Sequence, residues 1–168
     1  MRIAAARSGL TKFHYEFCDD RAQPLGTLTF PTGLVLAKGS AASGVPGALQ
    51  DRVRFTLPDG TYELEFTGPP RDRHFTLVRG GTPVATAVAS GRHRREVSHG
   101  ARVFHLARRF SLLRVRFEVR EAGQVIGSIF EPALFSLVRR HFALQLPLDV
   151  PDEARALLFF LVVNSVFR

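Results

Sequence analysis

One cysteine, two lysines and no tryptophan stand out as scarcities in this 168-residue chain. The lone Cys18 excludes an intrachain disulfide and any zinc site built from several cysteines. The opening stretch, MRIAAARSGLTKF, lacks an apolar run of the secretory kind, about 7–15 residues long. Together these point to a cytoplasmic protein. The apolar run from Ala156 to Val163 is far shorter than the roughly 20 residues that cross a bilayer as a helix, so no transmembrane segment is expected. Catalytic motifs are missing too: there is no G-x-S-x-G elbow, H-E-x-x-H pair or phosphate-binding P-loop. Cys18 and His14 share a strand face, but four residues of strand put them about 13 Å apart, too far for a dyad. His93, His99 and His105 would meet at a metal only through chance spacing. The reading is a non-enzymatic protein with no catalytic residue, metal or cofactor.

What is present is an ordinary globular composition, 45% hydrophobic and 23% charged, with fifteen phenylalanines. One domain spanning 1–168, with a core of Phe, Leu and Val, is the expectation. The last stretch, PDEARALLFFLVVNSVFR, organises it. Pro151 suits a first helical turn, and Asp152 and Glu153 complement the positive end of the helix dipole. Ala156 to Val163 is then apolar on every side, and such a helix is buried all round. Residues 151–167 are therefore predicted as a central core helix.

Upstream, strand patterns dominate as far as Pro147. Phe13, Tyr15 and Phe17 alternate with polar neighbours, and Leu113, Val115, Phe117 and Val119 alternate with Arg114, Arg116, Glu118 and Arg120. Residues 1–12 read as an N-terminal tail, 33–37 as a short strand and 38–50 as a flexible Gly-rich loop. Arg52 to Phe66 is the clearest hairpin. A four-residue loop pairs Phe55 with Leu64 and Arg54 with Glu65, giving Arg54 an internal partner. Arg108 and Arg109 are placed in a loop. The Ala122-Gly123 turn holds two or three residues. Eleven or twelve short strands of this kind curl or close, so the predicted class is mainly β: a closed antiparallel barrel of about twelve strands enclosing a hydrophobic C-terminal helix.

This pattern resembles the tubby C-terminal-like superfamily, in its LURP-one-related and phospholipid scramblase branches. Phe142-Ala-Leu-Gln-Leu-Pro-Leu-Asp-Val, followed by the apolar helix, is similar to the final strand, "LP" turn and core helix found there. Gly123 to Phe130 (GQVIGSIF) resembles the family's "G-x-x-I-G-x-I" strand. The likeness in architecture covers roughly residues 13–168. It implies phosphoinositide binding through basic residues of the outer surface, as in tubby domains, or lipid handling with calcium and palmitoylation, as in scramblases. The chain departs from scramblases: it has no Pro-rich N-terminal region and no cysteine cluster. Asp149, Asp152 and Glu153 do not form the ligand run of a calcium loop. No phosphoinositide-contacting position carries over residue by residue.

The net charge of +8 is unevenly spread. Between Gly91 and Phe117 lie Arg92, Arg94, Arg95, Arg102, Arg108, Arg109, Arg114 and Arg116, opposed by Glu96 alone. Arginine codon bias spreads arginines without excluding acids, so it does not explain this segment. The arginine fork suits phosphate recognition. These eight residues are the candidate site, and anionic phospholipid at a membrane surface is the candidate partner. An acidic protein partner and a merely solvated face are the alternatives. Nucleic acid fits less well, because the interleaved Phe104, Phe110 and Phe117 point inward rather than offering stacking surfaces. An interior lipid or substrate site has only Asn164 and Ser165 as polar candidates.

Overall fold

The computed structural model describes residues 2–8, 14–19, 21–30, 53–69, 72–91, 94–109, 115–131 and 141–166. The expected 38–50 loop and 33–37 strand lie outside them. Among the described residues the chain is mainly β with one C-terminal helix. The strands are β1 (Arg2–Ser8), β2 (His14–Cys18), β3 (Pro24–Thr29), β4 (Val53–Leu57), β5 (Gly60–Thr67), β6 (His74–Arg79), β7 (Thr82–Gly91), β8 (Arg94–His99), β9 (Arg102–Arg109), β10 (Arg116–Glu121), β11 (Gln124–Phe130) and β12 (His141–Gln145). The helix, α1, spans Asp152–Val166.

Each strand from β2 to β12 pairs antiparallel with its neighbours in the chain. Residues 2–8, expected as part of a tail, form β1 instead. It pairs with both β2 and β12, so the order of hydrogen-bonded neighbours is circular. Its sequence, RIAAARS, has too few large side chains to show an alternation. Backbone pairing on both sides makes it a strand.

The β4–β5 hairpin corrects the expected register. Leu57 faces Gly60, leaving only Pro58 and Asp59 in the loop, and Phe55 faces Tyr62. Loops of two and four residues both keep apolar opposite apolar, because the side-chain period is two. The shorter one prevails, in keeping with the preference for two-residue hairpins, and Arg79 braces it by ion-pairing Asp59 at 2.8 Å. Arg54 does have an internal partner, but it is Glu63, at 3.7 Å, rather than Glu65. The turn after β10 holds two residues: Glu121 faces Gln124, and Ala122 and Gly123 both have positive φ (49° and 81°), as a type I′ turn requires. In GQVIGSIF, Gly127 has a packing reason, since a Cβ there would collide with the Gln145 carbonyl of β12.

Inside the sheet every residue of α1 from Ala154 to Asn164 is buried. Leu157 to Val163 are 3% exposed or less, as expected. Two adjacent phenylalanines pack on different sets of strands. Phe159 packs edge-on against Tyr15 (5.3 Å), Phe17 (5.0 Å) and Phe142 (5.6 Å). Phe160 meets Phe30 (5.8 Å), Phe55 (6.4 Å) and Phe75 (5.2 Å). Arg155 fixes the helix entry. Its Nη1 bonds Asp152 at 2.6 Å, and its Nη2 donates to the carbonyls of Pro147 (2.8 Å) and Leu148 (2.9 Å).

Phe159→Ala is expected to cost about 3–5 kcal/mol, as for large core aromatics generally, measured by urea unfolding. Truncation before Pro151 is expected to leave an insoluble chain. A soluble, folded truncation would contradict a core role for the helix.

Candidate functional site

The arginine-rich segment forms β8, β9 and the start of β10. Alternation sorts its side chains. Val97, Phe104, Leu106, Phe117 and Val119 are buried, so Arg94 and Glu96, then His105, Ala107 and Arg109, then Arg116, Glu118 and Arg120 share the outer face. The register sets Arg109 opposite Arg116, Ala107 between Arg94 and Glu118, and His105 between Glu96 and Arg120. Arg95 and Arg108 have inward parity, facing Leu106 and Phe117 at the strand ends. There Arg108 is exposed and Arg95 half-buried. Arg94, Arg108, Arg109 and Arg120, with Ser90 and Glu118, line an open groove of about 760 Å³. Arg108 and Arg109 thus lie in a strand, not in the expected loop.

Glu118 is the counter-ion of this face. Its carboxylate pairs with Arg109 at 2.7 Å and with Arg120 at 3.4 Å. The hydrogen bond from Arg109 is the main reason its carboxyl is held below the ordinary carboxylate range. The same bond strengthens proton retention by Arg109. Arg94, Arg108 and Arg116 make no ion pair among the described residues. Arg95 donates to the Arg94 carbonyl at 3.0 Å. Like charges directly opposite across strands are destabilising, and Arg109 and Arg116 stand in that relation with one carboxylate nearby.

Arg102 does not belong to the groove. It sits at the far end of β9, about 20 Å from Arg108 and Arg109 by strand rise. Its guanidinium binds Glu121 at 2.6 and 2.8 Å, and both the carboxylate (3.0 Å) and the carbonyl (2.5 Å) of Asp149. It also covers the Phe104 ring at 5.0 Å. It is a latch between the β9–β10 end and the turn before α1. Arg92 and Arg114 lie outside the described residues. Of the eight expected arginines, Arg94, Arg108, Arg109 and Arg116 therefore cluster, Arg95 borders them, and Arg102 does not. Arg120 joins the groove although it lies beyond the Gly91–Phe117 segment. Its place in the β10 alternation was the available signal.

A second polar cluster lies at the helix N-terminus. Buried Tyr62 donates its hydroxyl proton to Asp59, and the Glu153 carboxylate stands 3.3 Å from the same oxygen. His99 stands 3.7 Å from Glu153. Burial, then the Asp59 bond, push the Tyr62 phenol well above its ordinary range, so it is a neutral donor rather than a base. These contacts tie α1 to β5 and β8. Among the described residues no group of three acids, histidines or cysteines is placed to hold a metal. Nearby, Phe17, Leu25, Leu57, Leu144, Asp152, Arg155 and Ala156 bound a space of about 20 Å³, enough for one water and far too small for a lipid. Ser165 gives its hydroxyl to the Leu161 carbonyl at 2.7 Å, and Asn164 is buried.

Compared with known protein families, curated proteins and solved structures, the chain matches none.

The latch has an acid signature. The Arg102 hydrogen bond holds the Glu121 carboxyl below its ordinary value of 4.5. A depressed carboxyl contributes stability that is complete above its unfolded pKa and lost as pH falls through its folded one. Arg102→Gln is therefore expected to lose on the order of 1–2 kcal/mol at neutral pH. Its thermal stability should then fall less steeply than wild type below about pH 4.5. Parallel acid limbs would contradict the latch.

Proposed function

We propose that the chain is a tubby-like domain, its sheet closed as a barrel around α1, that docks without catalysis on anionic phospholipid or phosphoinositide headgroups at a cytoplasmic membrane surface. The circular order of strand pairing, the helix buried on all sides and the Pro147 turn leading into it support the fold part of this reading. One observation carries the ligand part: Arg109 stands directly opposite Arg116, with Arg94 and Arg108 exposed beside them. A phosphate placed there relieves the like-charge contact and accepts the forked hydrogen bonds that arginine offers. Docking is peripheral: among the described residues no helix is long and apolar enough to cross a membrane.

The sharing of Glu118 by Arg109 and Arg120 favours a second reading. In it the face is largely balanced by its own carboxylate and meets only water or an acidic protein. Co-sedimentation with phosphatidylserine or phosphoinositide vesicles separates the two. Lipid docking predicts binding that weakens with salt and drops more than about tenfold in the Arg109→Glu/Arg116→Glu variant. Absence of binding at low salt, or binding indifferent to the double variant, favours the second reading.

A further inference from the structure

Ala107 is a small side chain ringed by long ones. Its outer-face neighbours along β9 are His105 and Arg109. Across the ladders it faces Arg94 of β8 and Glu118 of β10. The diagonal positions belong to Glu96, Arg116 and Arg120, since Glu96 and Arg120 face His105 and Arg116 faces Arg109. Neighbouring strands run about 4.8 Å apart, and same-face residues of one strand about 6.7 Å apart, so all seven side chains start within roughly 9 Å of the Ala107 Cα. A methyl group in the middle of such a ring leaves a dip. Ala107 is half-buried and lines the 760 Å³ groove together with Arg94, His105, Arg109, Glu118 and Arg120.

The charges round the dip are sorted. Glu118 is taken up by Arg109 and Arg120, at 2.7 and 3.4 Å. Glu96 lies 3.8 Å from His105. Four arginines against two glutamates leave the ring at +2 with His105 neutral. Arg94 and Arg116, one on each side of Ala107, make no ion pair among the described residues, and each guanidinium carries five N–H donors.

We propose that the dip over Ala107 is a seat for a single phosphomonoester group. This deepens the docking reading above and rests on its assignment of the arginine face to phosphate. A phosphomonoester carries three strong acceptor oxygens and close to two negative charges at neutral pH. The phosphodiester of a simple headgroup has two free oxygens and one charge. Arginines reach the dip from β8, β9 and β10, three directions for three oxygens, and the charge of the ring matches that of the monoester. Glu118 and Glu96 stay on their own cationic partners and form the polar wall.

Diffuse attraction to a charged surface is indifferent to a neutral side chain, so filling the dip tests the seat apart from the charge. Ala107→Leu in the full chain keeps every charge and adds its bulk on the outer face. Wild type is expected to sediment more strongly with phosphatidylcholine vesicles carrying phosphatidic acid, a phosphomonoester, than with those carrying phosphatidylglycerol, a phosphodiester, at equal zeta potential. The leucine should erase that preference and weaken phosphatidic acid binding by roughly tenfold, the loss of a charge-assisted hydrogen bond, with the melting temperature unchanged. Should the leucine disturb folding, Ala107→Thr fills the same space with a residue that strands favour. Glycerol 3-phosphate, titrated by calorimetry, separates a free phosphate from a lipid one. Binding that is lost in Ala107→Leu, without sedimentation on any vesicle, keeps the seat and removes the membrane. Salt-sensitive sedimentation that treats both lipids alike and ignores the leucine overturns the seat and leaves the docking reading in place. If neither vesicles nor glycerol 3-phosphate bind at low salt, both fall.

Discussion

A helix with no polar face is the constraint on which this protein turns. From Ala156 to Val163 α1 offers water nothing to bond, and each of these side chains would cost free energy if left exposed. One packed layer can cover only one side of such a helix. The chain answers with short antiparallel strands whose buried faces meet the helix from many directions. Phe159 packs on aromatics of β2 and β12, while Phe160 packs on those of β4 and β6. Glu153, through Tyr62 and His99, and Arg155, through the Pro147 turn, hold the N-terminal end of the helix.

The division of labour follows. With the helix packed on all sides, the arginines of the described residues fall into two environments. Arg102 and Arg155 are consumed by the fold. Each is bonded to a carboxylate and to backbone carbonyls of the same turn, and Arg155 is 7% exposed. Arg94, Arg108 and Arg116 are exposed and make no ion pair among the described residues, around an Arg109 that shares Glu118 with Arg120. Arginine content alone does not separate these environments, because paired and exposed arginines share the same chemistry. What separates them is the number of acceptors within reach.

That distinction explains what could be read from sequence. The core helix and the burial of alternating residues in β4, β5 and β10 were legible, because side-chain period and burial are locally coupled. Helix continuity, too, is decided within the segment itself. The β4–β5 register was not legible, since parity allows both even loop lengths and Arg79, remote in sequence, braces the shorter one. Nor was β1 legible, because RIAAARS carries too little side-chain contrast and becomes a strand through partners at both ends of the chain. The pairing of Arg102 was hidden for the same reason: its Asp149 partner lies 47 residues away. Local pattern reports faces. Long-range pairing decides which charged residues on those faces remain available.

α1 is expected to be the last element exposed, because strands β2 to β12 bury apolar side chains in the core that holds it. Native-state hydrogen exchange resolved by residue tests this most directly. The amides of Leu157 to Val163 are expected to exchange only through global unfolding, with the same free energy as the slowest amides of β5 and β9. Exchange of these helix amides through a smaller opening, while the strands stay protected, would contradict it.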